Sequence, residues 1–328
     1  MRTRTNTRSM PRYALAAALA TGLVSLSACG STQPADGGTD SGSGSKTLVF
    51  SPLALQIPAM KQLSEGIEAY AKSKGYKVIV QDPNLDPQKQ VTDLQSVVES
   101  GRADAGWAIM VQPSSASALV KKAQEKKMPL VLNGTPEEYG LDGMVPGVSF
   151  STIDYTEEGV QAGTELGNCI NEKLDGKAEV LFLESQAGTA GKKEYEDAVK
   201  ENLAKTAPGA KIVTNITVKD RAGAQTDVSS ALQGHPDVTA VFGQNDEGAL
   251  GSIGAFKAAG KELPCLTETG GNEESLAAAK SGEIYAVVAL QFDKDMAQNV
   301  DTLMTMIEDP EAEGVQLTTP LEVVKAGS

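Results

Sequence analysis

A regular alternation of strand-like and helix-like segments runs through the chain from Lys46 onward, and it constrains the fold more than any other feature. Short aliphatic and β-branched runs alternate with amphipathic segments such as 59–74, in which Leu63 and Ile67 lie on one helical face. Alternation of this kind is typical of parallel sheets that are covered by helices on both faces. We therefore predict an α/β fold with doubly wound parallel sheets.

The number of strands favours two lobes over one. Ten candidate strands are more than one compact sheet usually holds, and domains usually contain about 100–150 residues. The predicted strands are 47–50, 77–81, 105–111, 129–133, 147–150, 178–183, 211–218, 238–243, 263–267 and 284–290. We predict that the chain crosses between the lobes three times. One lobe then comprises 46–150 plus 292–314, and the other comprises 151–291 plus 315–328.

The first residues have the pattern of an export signal. Four arginines precede an apolar stretch that ends in Leu-Ser-Ala-Cys at Cys29, and this order resembles a bacterial lipoprotein signal peptide over residues 1–28. Two acyl chains on Cys29 would anchor the protein stably on the outer face of the cell membrane. An uncleaved anchor with an incidental cysteine is the alternative. Residues 29–45 are rich in Gly, Ser and Thr, which is typical of a flexible tether.

Composition narrows the possible partners and chemistry. The chain has 29 Lys and Arg against 43 Asp and Glu, a formal net charge of −14, so we expect no nucleic-acid partner. There is one histidine, His235, and no G-x-S-x-G or nucleotide-phosphate motif. We therefore expect neither an enzyme nor a resident cofactor or metal. Outside the cytosol, Cys169 and Cys265 form either a disulfide or two buried thiols.

Polar residues follow many of the predicted strands. In open α/β sheets a ligand binds outside the carboxyl ends of the strands, so these positions are candidate ligand contacts. Amides and carboxylates dominate this set, which suits a small neutral polyhydroxy ligand. The alternative for several of them is helix capping, Asp246 in particular. The candidate ligand-binding residues are Gln56, Met60, Trp107, Asn133, Asn245, Asp246, Glu268 and Gln291.

The segment 235–251, which contains Phe-Gly-Gln-Asn-Asp-Glu, resembles the ribose-type periplasmic sugar-binding proteins, the solute receptors of ABC importers. Weaker similarities, such as Asp86-Pro87 before the second helix, extend the resemblance over almost all of 46–328. It implies two Rossmann-like lobes of the type I periplasmic binding fold, joined by three hinge strands that close on a sugar. It also implies ABC permease subunits as partners and a monomeric receptor. A sensor lobe that serves a membrane signalling partner is the alternative.

The resemblance places Asn245 and Gln291 at two amides that hydrogen-bond the sugar. Other positions depart from the family pattern. The family's Asn-Pro-Phe-Phe is Ile-Pro-Ala-Met here and ends at Met60, so its stacking rings are absent. Trp107 either replaces such a ring or belongs to the core. The family's Asp-Arg pair is replaced at Asn133 by Asn-Gly, and Glu268 is a possible substitute for a missing aspartate.

Overall fold

The computed structural model describes residues 45–327. The predicted signal peptide, Cys29 and the tether up to residue 44 lie outside the described residues. Within residues 45–327, no helix is both long enough and apolar enough to cross a membrane.

Residues 45–327 contain two six-stranded sheets. The first sheet has the spatial order β11 (Gln316–Thr318), β5 (Val148–Thr152), β4 (Leu130–Asn133), β3 (Ala105–Ala108), β1 (Thr47–Ser51), β2 (Lys77–Val80). The second sheet has the order β12 (Leu321–Val324), β10 (Ala286–Leu290), β9 (Cys265–Gly270), β8 (Val238–Gly243), β6 (Lys177–Glu184), β7 (Gly209–Thr217). Neighbouring strands are parallel throughout, except that β12 is antiparallel to β10.

Helices connect most of the strands. They are α1 (Pro58–Ser73), α2 (Pro87–Ser100), α3 (Ser117–Glu125), α4 (Tyr155–Lys173), α5 (Lys192–Thr206), α6 (Arg221–Gly234), α7 (Asp246–Ala258), α8 (Glu273–Ser281) and α9 (Phe292–Glu308). Two 3₁₀ turns cover Pro113–Ser115 and Pro136–Tyr139. Strand residues are buried on both faces of each sheet; in β8, for example, Val241 and Phe242 belong to different hydrophobic clusters. The predicted α/β class with two doubly wound sheets is confirmed.

The chain passes between the two sheets three times. It crosses from β5 to α4, from β10 to α9, and from β11 to β12. After the second crossing α9 packs against α1 and the first sheet. The predicted boundary after residue 314 placed 316–318 with the second lobe, but β11 pairs with β5 in the first sheet. The last crossing therefore falls at Thr319-Pro320. This short link enters the second sheet at the edge where β10 ends, because Leu321 pairs with Leu290, and β12 therefore runs back along β10 as an antiparallel edge strand. The division of the whole chain into lobes stays a prediction.

Two glycines on α4 allow α5 to lie unusually close to it. A Cβ on Gly159 would lie 2.4 Å from the carbonyl oxygen of Tyr195, and one on Gly163 would lie 2.3 Å from the carbonyl oxygen of Val199. Real side chains do not tolerate such distances, so only glycine permits this approach of two backbones. The close packing sets the first turns of α4 and α5 side by side.

Candidate functional site

A cavity of about 210 Å³ lies at the carboxyl end of the second sheet. This is the edge at which open α/β sheets bind their ligands. Its volume is below the roughly 300–1,000 Å³ of sites for drug-sized molecules, so it suits a smaller ligand. The lining residues come from α4, the β6–α5 loop, α5, and the ends of β8, β9 and β10. They are Tyr155, Glu158, Ser185, Thr189, Ala190, Gly191, Lys192, Tyr195, Gln244, Asn245, Thr269, Gly270 and Leu290.

A chain of hydrogen bonds forms one wall of the cavity. Thr269 Oγ1 donates to the carbonyl oxygen of Gln244 at 3.1 Å, and it lies 2.6 Å from the hydroxyl of Tyr195. Because a threonine hydroxyl has a single proton, Tyr195 is the donor in the second bond. Burial raises the pKa of Tyr195 well above its ordinary value, so the phenol stays neutral and keeps this proton.

Glu158 provides a buried carboxyl group at the cavity. The residue is 6% exposed and belongs to the first turns of α4. Burial raises the pKa of its carboxyl group to about 7, although the nearby Thr269 hydroxyl lowers it in part. The ion pairs found in residues 45–327 include none at Glu158. This carboxyl group therefore lacks the cationic partner that buried carboxylates usually have.

Lys192 is the lysine that lines the cavity, and protein groups already hold its ammonium group. Its Nζ donates to the carbonyl oxygen of Ser185 and to Glu196 Oε1, both at 2.7 Å, and it lies 3.7 Å from a carboxylate oxygen of Glu184. Glu196 is itself buried and also accepts from the Ser185 backbone N–H at 2.9 Å. The arrangement fixes the β6–α5 loop and neutralises the lysine.

Of the eight predicted ligand-binding residues, all within the described part of the chain, Asn245 lines this cavity. Asn245 is also the N-cap of α7, since its Oδ1 accepts from the Gly248 N–H at 2.8 Å. The cap occupies Oδ1, so the amide nitrogen is the group that remains for a ligand. The neighbouring Asp246 is neither the cap nor part of the lining. Its Oδ1 accepts from the N–H groups of Gly271 and Asn272, at 3.0 and 2.9 Å, and so holds the β9–α8 loop.

The side chains of Trp107 and Asn133 form a hydrogen bond with each other at the first sheet. Trp107 is 2% exposed and packs on Phe50 with ring centroids 5.2 Å apart. Its Nε1–H donates to Asn133 Oδ1 at 2.7 Å, and the Asn133 carbonyl oxygen accepts from the Tyr139 hydroxyl. The ligand-binding prediction for Trp107 is corrected to its alternative, a core residue. The side chain points to the helix-covered face of β3, where it contacts the cluster that includes Ile67.

Glu268 does not line this cavity either. It is fully buried in β9, and successive strand residues point to opposite faces, so it faces away from the cavity that Thr269 lines. Burial, with the negative charge of Asp246 as the second cause, raises the pKa of Glu268 to about 9. The Ser275 hydroxyl is near enough to lower the pKa in part. No hydrogen bond of normal geometry joins it to either carboxyl oxygen.

The three other predicted residues lie outside this cavity. Gln56 is exposed in the β1–α1 loop, and Met60 lies on the first turn of α1. Met60 lines a separate cavity of about 350 Å³, between the first turns of α1 and α9. Gln291 is half-buried at the start of α9, and its backbone N–H donates to the Pro320 carbonyl oxygen at 2.8 Å, which ties two crossings together. Their contact with a ligand stays a prediction.

The cavity residues that the sequence interpretation missed include Tyr155, Glu158 and Tyr195. All three lie in the first turns of helices, whereas the interpretation considered the loops directly after strands. The available signal was the four-residue glycine spacing of α4, which indicates that another helix packs closely against its first turns.

Cys169 of α4 and Cys265 of β9 form a disulfide with their Cα atoms 5.7 Å apart. Of the two alternatives that the sequence left open, the structure contains the bonded pair. It ties α4 to the strand that carries Thr269 into the cavity. In residues 45–327, no group of three or more His, Cys, Asp or Glu residues is arranged to hold a metal ion.

The comparison with known proteins identifies the family. The family model described as "Periplasmic binding protein domain" matches residues 48–310. The ribose import binding protein RbsB of Bacillus subtilis (strain 168) is 31% identical over 85% of this chain and 88% of the relative. The chain belongs to the ribose-type periplasmic sugar-binding protein family. This membership confirms the resemblance carried by the segment 235–251.

Other similar proteins differ in the ligand that their names give. The xylitol-binding protein of Mycolicibacterium smegmatis is 28% identical over 82% of this chain and 73% of the relative. Among solved structures, a periplasmic solute-binding protein of Actinobacillus succinogenes with bound D-allose aligns with a TM-score of 0.67 at 18% identity, covering 85% of this chain and 97% of the other. The Caulobacter myo-inositol binding protein aligns with a TM-score of 0.62 at 21% identity, covering 86% and 93%. These structures share the type I periplasmic binding fold with this chain.

Proposed function

We propose that the protein is the extracytoplasmic solute receptor of an ABC importer. It binds a sugar or sugar-like polyol between its two lobes, closes around it, and presents the closed form to the permease subunits. Closure is favoured because the ligand contacts both rims only in that state, and these differential contacts supply the free energy.

The observation that carries this proposal is the cavity beside the chain crossings. The residues that line it and carry hydrogen-bonding groups include Asn245, Gln244, Tyr155 and Thr189. Such groups match the alternating donors and acceptors of a polyhydroxylated molecule. The ligand names of the relatives, ribose and xylitol, belong to the same chemical class. In the closed form, Gln56, Met60 and Gln291 would supply the contacts from the opposite rim and the hinge.

The proposal includes a lipid anchor at Cys29 that holds the receptor on the outer face of the cell membrane. Expression of the full chain in a bacterial host should place the protein in the membrane fraction. Cys29→Ala should release it or leave its precursor unprocessed. Recovery of a processed wild-type chain in the soluble fraction would contradict the anchor.

Ligand binding is tested by calorimetry on a truncated chain that begins after the tether, with a panel of pentoses, hexoses, cyclitols and linear polyols. A binding ligand should raise the melting temperature by mass action. It should also reduce the radius of gyration in small-angle X-ray scattering. Light scattering should give the mass of a monomer. Absence of binding across the whole panel, and across amine-bearing members of the same classes, would overturn the proposal.

A further inference from the structure

The positive and negative charges of the side chains around the cavity do not cancel. Glu184 and Glu196 surround Lys192, and Glu196 also lies 4.0 Å from Lys200, so these four residues neutralise one another. Glu158 remains as a carboxyl group at the cavity wall that none of the ion pairs in residues 45–327 engages. A buried carboxylate without a counter-charge is costly, and proteins usually pair it or leave it protonated.

A second carboxyl group lies near the same region. It belongs to Glu138, in the 3₁₀ turn Pro136–Tyr139 that follows β4. Glu138 lies over Gly134, in the space that a Cβ at that position would need. It is also close enough to Tyr155 that its negative charge adds to burial and to Glu158 in raising the pKa of that phenol. Glu138 and Glu158 thus both add negative potential at Tyr155, a cavity residue.

The rest of the cavity wall suits a cation as well. Tyr155 and Tyr195 both line it, and burial raises the pKa of both phenols, so they stay neutral and add no charge to the wall. An ammonium group forms charge-assisted hydrogen bonds to a carboxylate, which are shorter and stronger than neutral ones. Glu158 is therefore the group at this cavity that would bind an amine. The Asn245 amide nitrogen remains as a donor for hydroxyl groups, and Thr189 Oγ1, which donates to the Gln186 carbonyl oxygen at 2.8 Å, remains as an acceptor.

We propose that this cavity selects a polyhydroxylated ligand that carries a protonated amine, such as an amino sugar or an amino cyclitol, and that Glu158 accepts the hydrogen bond from its ammonium group. The inference rests on the proposed receptor function and refines it. It replaces the neutral ligand that the sequence pattern predicts with a cationic member of the same class.

Binding of such a ligand has a proton signature. Because the pKa of Glu158 is about 7 in the free protein, part of the population carries the carboxyl proton at neutral pH. The ammonium group favours the carboxylate, so binding releases this proton to the buffer. The Glu158→Gln variant has no such proton to release. The other titratable groups facing this region are Glu138, Tyr155, Tyr195, Lys192, Glu196 and Glu268, with Glu184 and Lys200 behind them.

The experiment compares matched ligands that differ only in the amine. Calorimetry at pH 7 measures D-glucosamine against D-glucose, D-galactosamine against D-galactose, and scyllo-inosamine against scyllo-inositol. The proteins are the wild type, Glu158→Gln and Glu157→Gln. Glu157 is the matched control, since it is an exposed neighbour on α4 whose carboxylate accepts from Gln161. Each titration is repeated in phosphate and in Tris, whose ionisation enthalpies differ, to count released protons.

We expect the wild type and Glu157→Gln to prefer the amine of at least one pair by about tenfold or more, as for a hydrogen bond to a charged group. Proton release should accompany its binding. Glu158→Gln should lose both the preference and the proton release while it still melts cooperatively. Equal affinity for amine and neutral partners in the wild type would overturn the inference and leave the receptor function standing. A preference and proton release that survive in Glu158→Gln would overturn the role of Glu158. No binding of either member of any pair would overturn the inference, and the receptor proposal would then be decided by the wider ligand panel.

Discussion

The hydroxyl of Tyr195 donates a hydrogen bond of 2.6 Å to Thr269 Oγ1, and this bond joins the first turn of α5 to the end of β9. Both side chains are at most 5% exposed, and both line the candidate ligand cavity. The position of the cavity wall therefore depends on a contact between two elements that are distant in sequence. Local loop conformation alone does not determine it.

Tyr195→Phe should lower the free energy of unfolding by about 1 kcal/mol, because it removes one buried hydrogen bond and leaves the Thr269 acceptor without its donor. Urea unfolding followed by circular dichroism measures the loss. Tyr70→Phe is the control, since the Tyr70 hydroxyl donates to Asp301 at an exposed site. An equal loss of unfolding free energy in both variants would show that the buried hydrogen bond contributes no more to stability than the exposed one.

Asn245→Ser separates the two roles of Asn245. Serine is also a good N-cap, so α7 should stay intact and the melting temperature should change little. The lost amide should weaken ligand binding by about 1–3 kcal/mol, measured by calorimetry with whichever ligand the panel identifies. Asn272→Ser is the control, because Asn272 caps α8 in the same way but does not line the cavity. Unchanged affinity in Asn245→Ser would remove this amide from the binding site.

The sequence predicts the sheets well because buried parallel strands are continuous apolar runs. It does not reveal β11 as a member of the first sheet, since Gln316 and Thr318 are exposed and Leu317 is only half-buried. Asn245 is predictable as a cavity residue because it follows a strand directly. Glu158 is not, because an acidic residue near the start of a helix usually stays in solvent and favours the helix dipole. Its burial is a consequence of the α4–α5 contact.

Gly163→Ala should destabilise the protein by about 1–3 kcal/mol, since the added methyl group collides with the backbone of α5 at Val199. Thermal and urea unfolding measure the loss. Gly234→Ala is the matched control, because nothing lies within 4 Å of a Cβ there. Alanine at Gly234 should be neutral or slightly stabilising through its higher helix propensity. Similar losses at both positions would contradict the close α4–α5 packing.

Removal of the disulfide in the double variant Cys169→Ala, Cys265→Ala should cost about 2–4 kcal/mol of stability, because the bond closes a long loop in the unfolded chain. The two cysteines are 96 positions apart. A reductant should lower the melting temperature of the wild type towards that of the variant and leave the variant unchanged. A wild-type melting temperature that is insensitive to complete reduction would contradict this expectation.

Glu268 should make the protein less stable as the pH rises. In the folded state its pKa is raised to about 9, well above the ordinary glutamate value of 4.5, so between these limits the folded protein holds a proton that the unfolded chain has lost. Unfolding then releases a proton, and stability falls with increasing pH across this window. Glu268→Gln mimics the protonated form and should remove the fall.

Melting temperatures of the wild type and Glu268→Gln between pH 5 and pH 9 test this. Subtraction of the two curves isolates Glu268 from Glu158 and Asp295, whose raised pKa values also make stability fall with pH. The difference should be small near pH 5 and should grow in favour of the variant towards pH 9. The exposed Glu262 provides the control variant Glu262→Gln, which should follow the wild type. A constant difference across the range would mean that Glu268 does not keep its proton in the folded state.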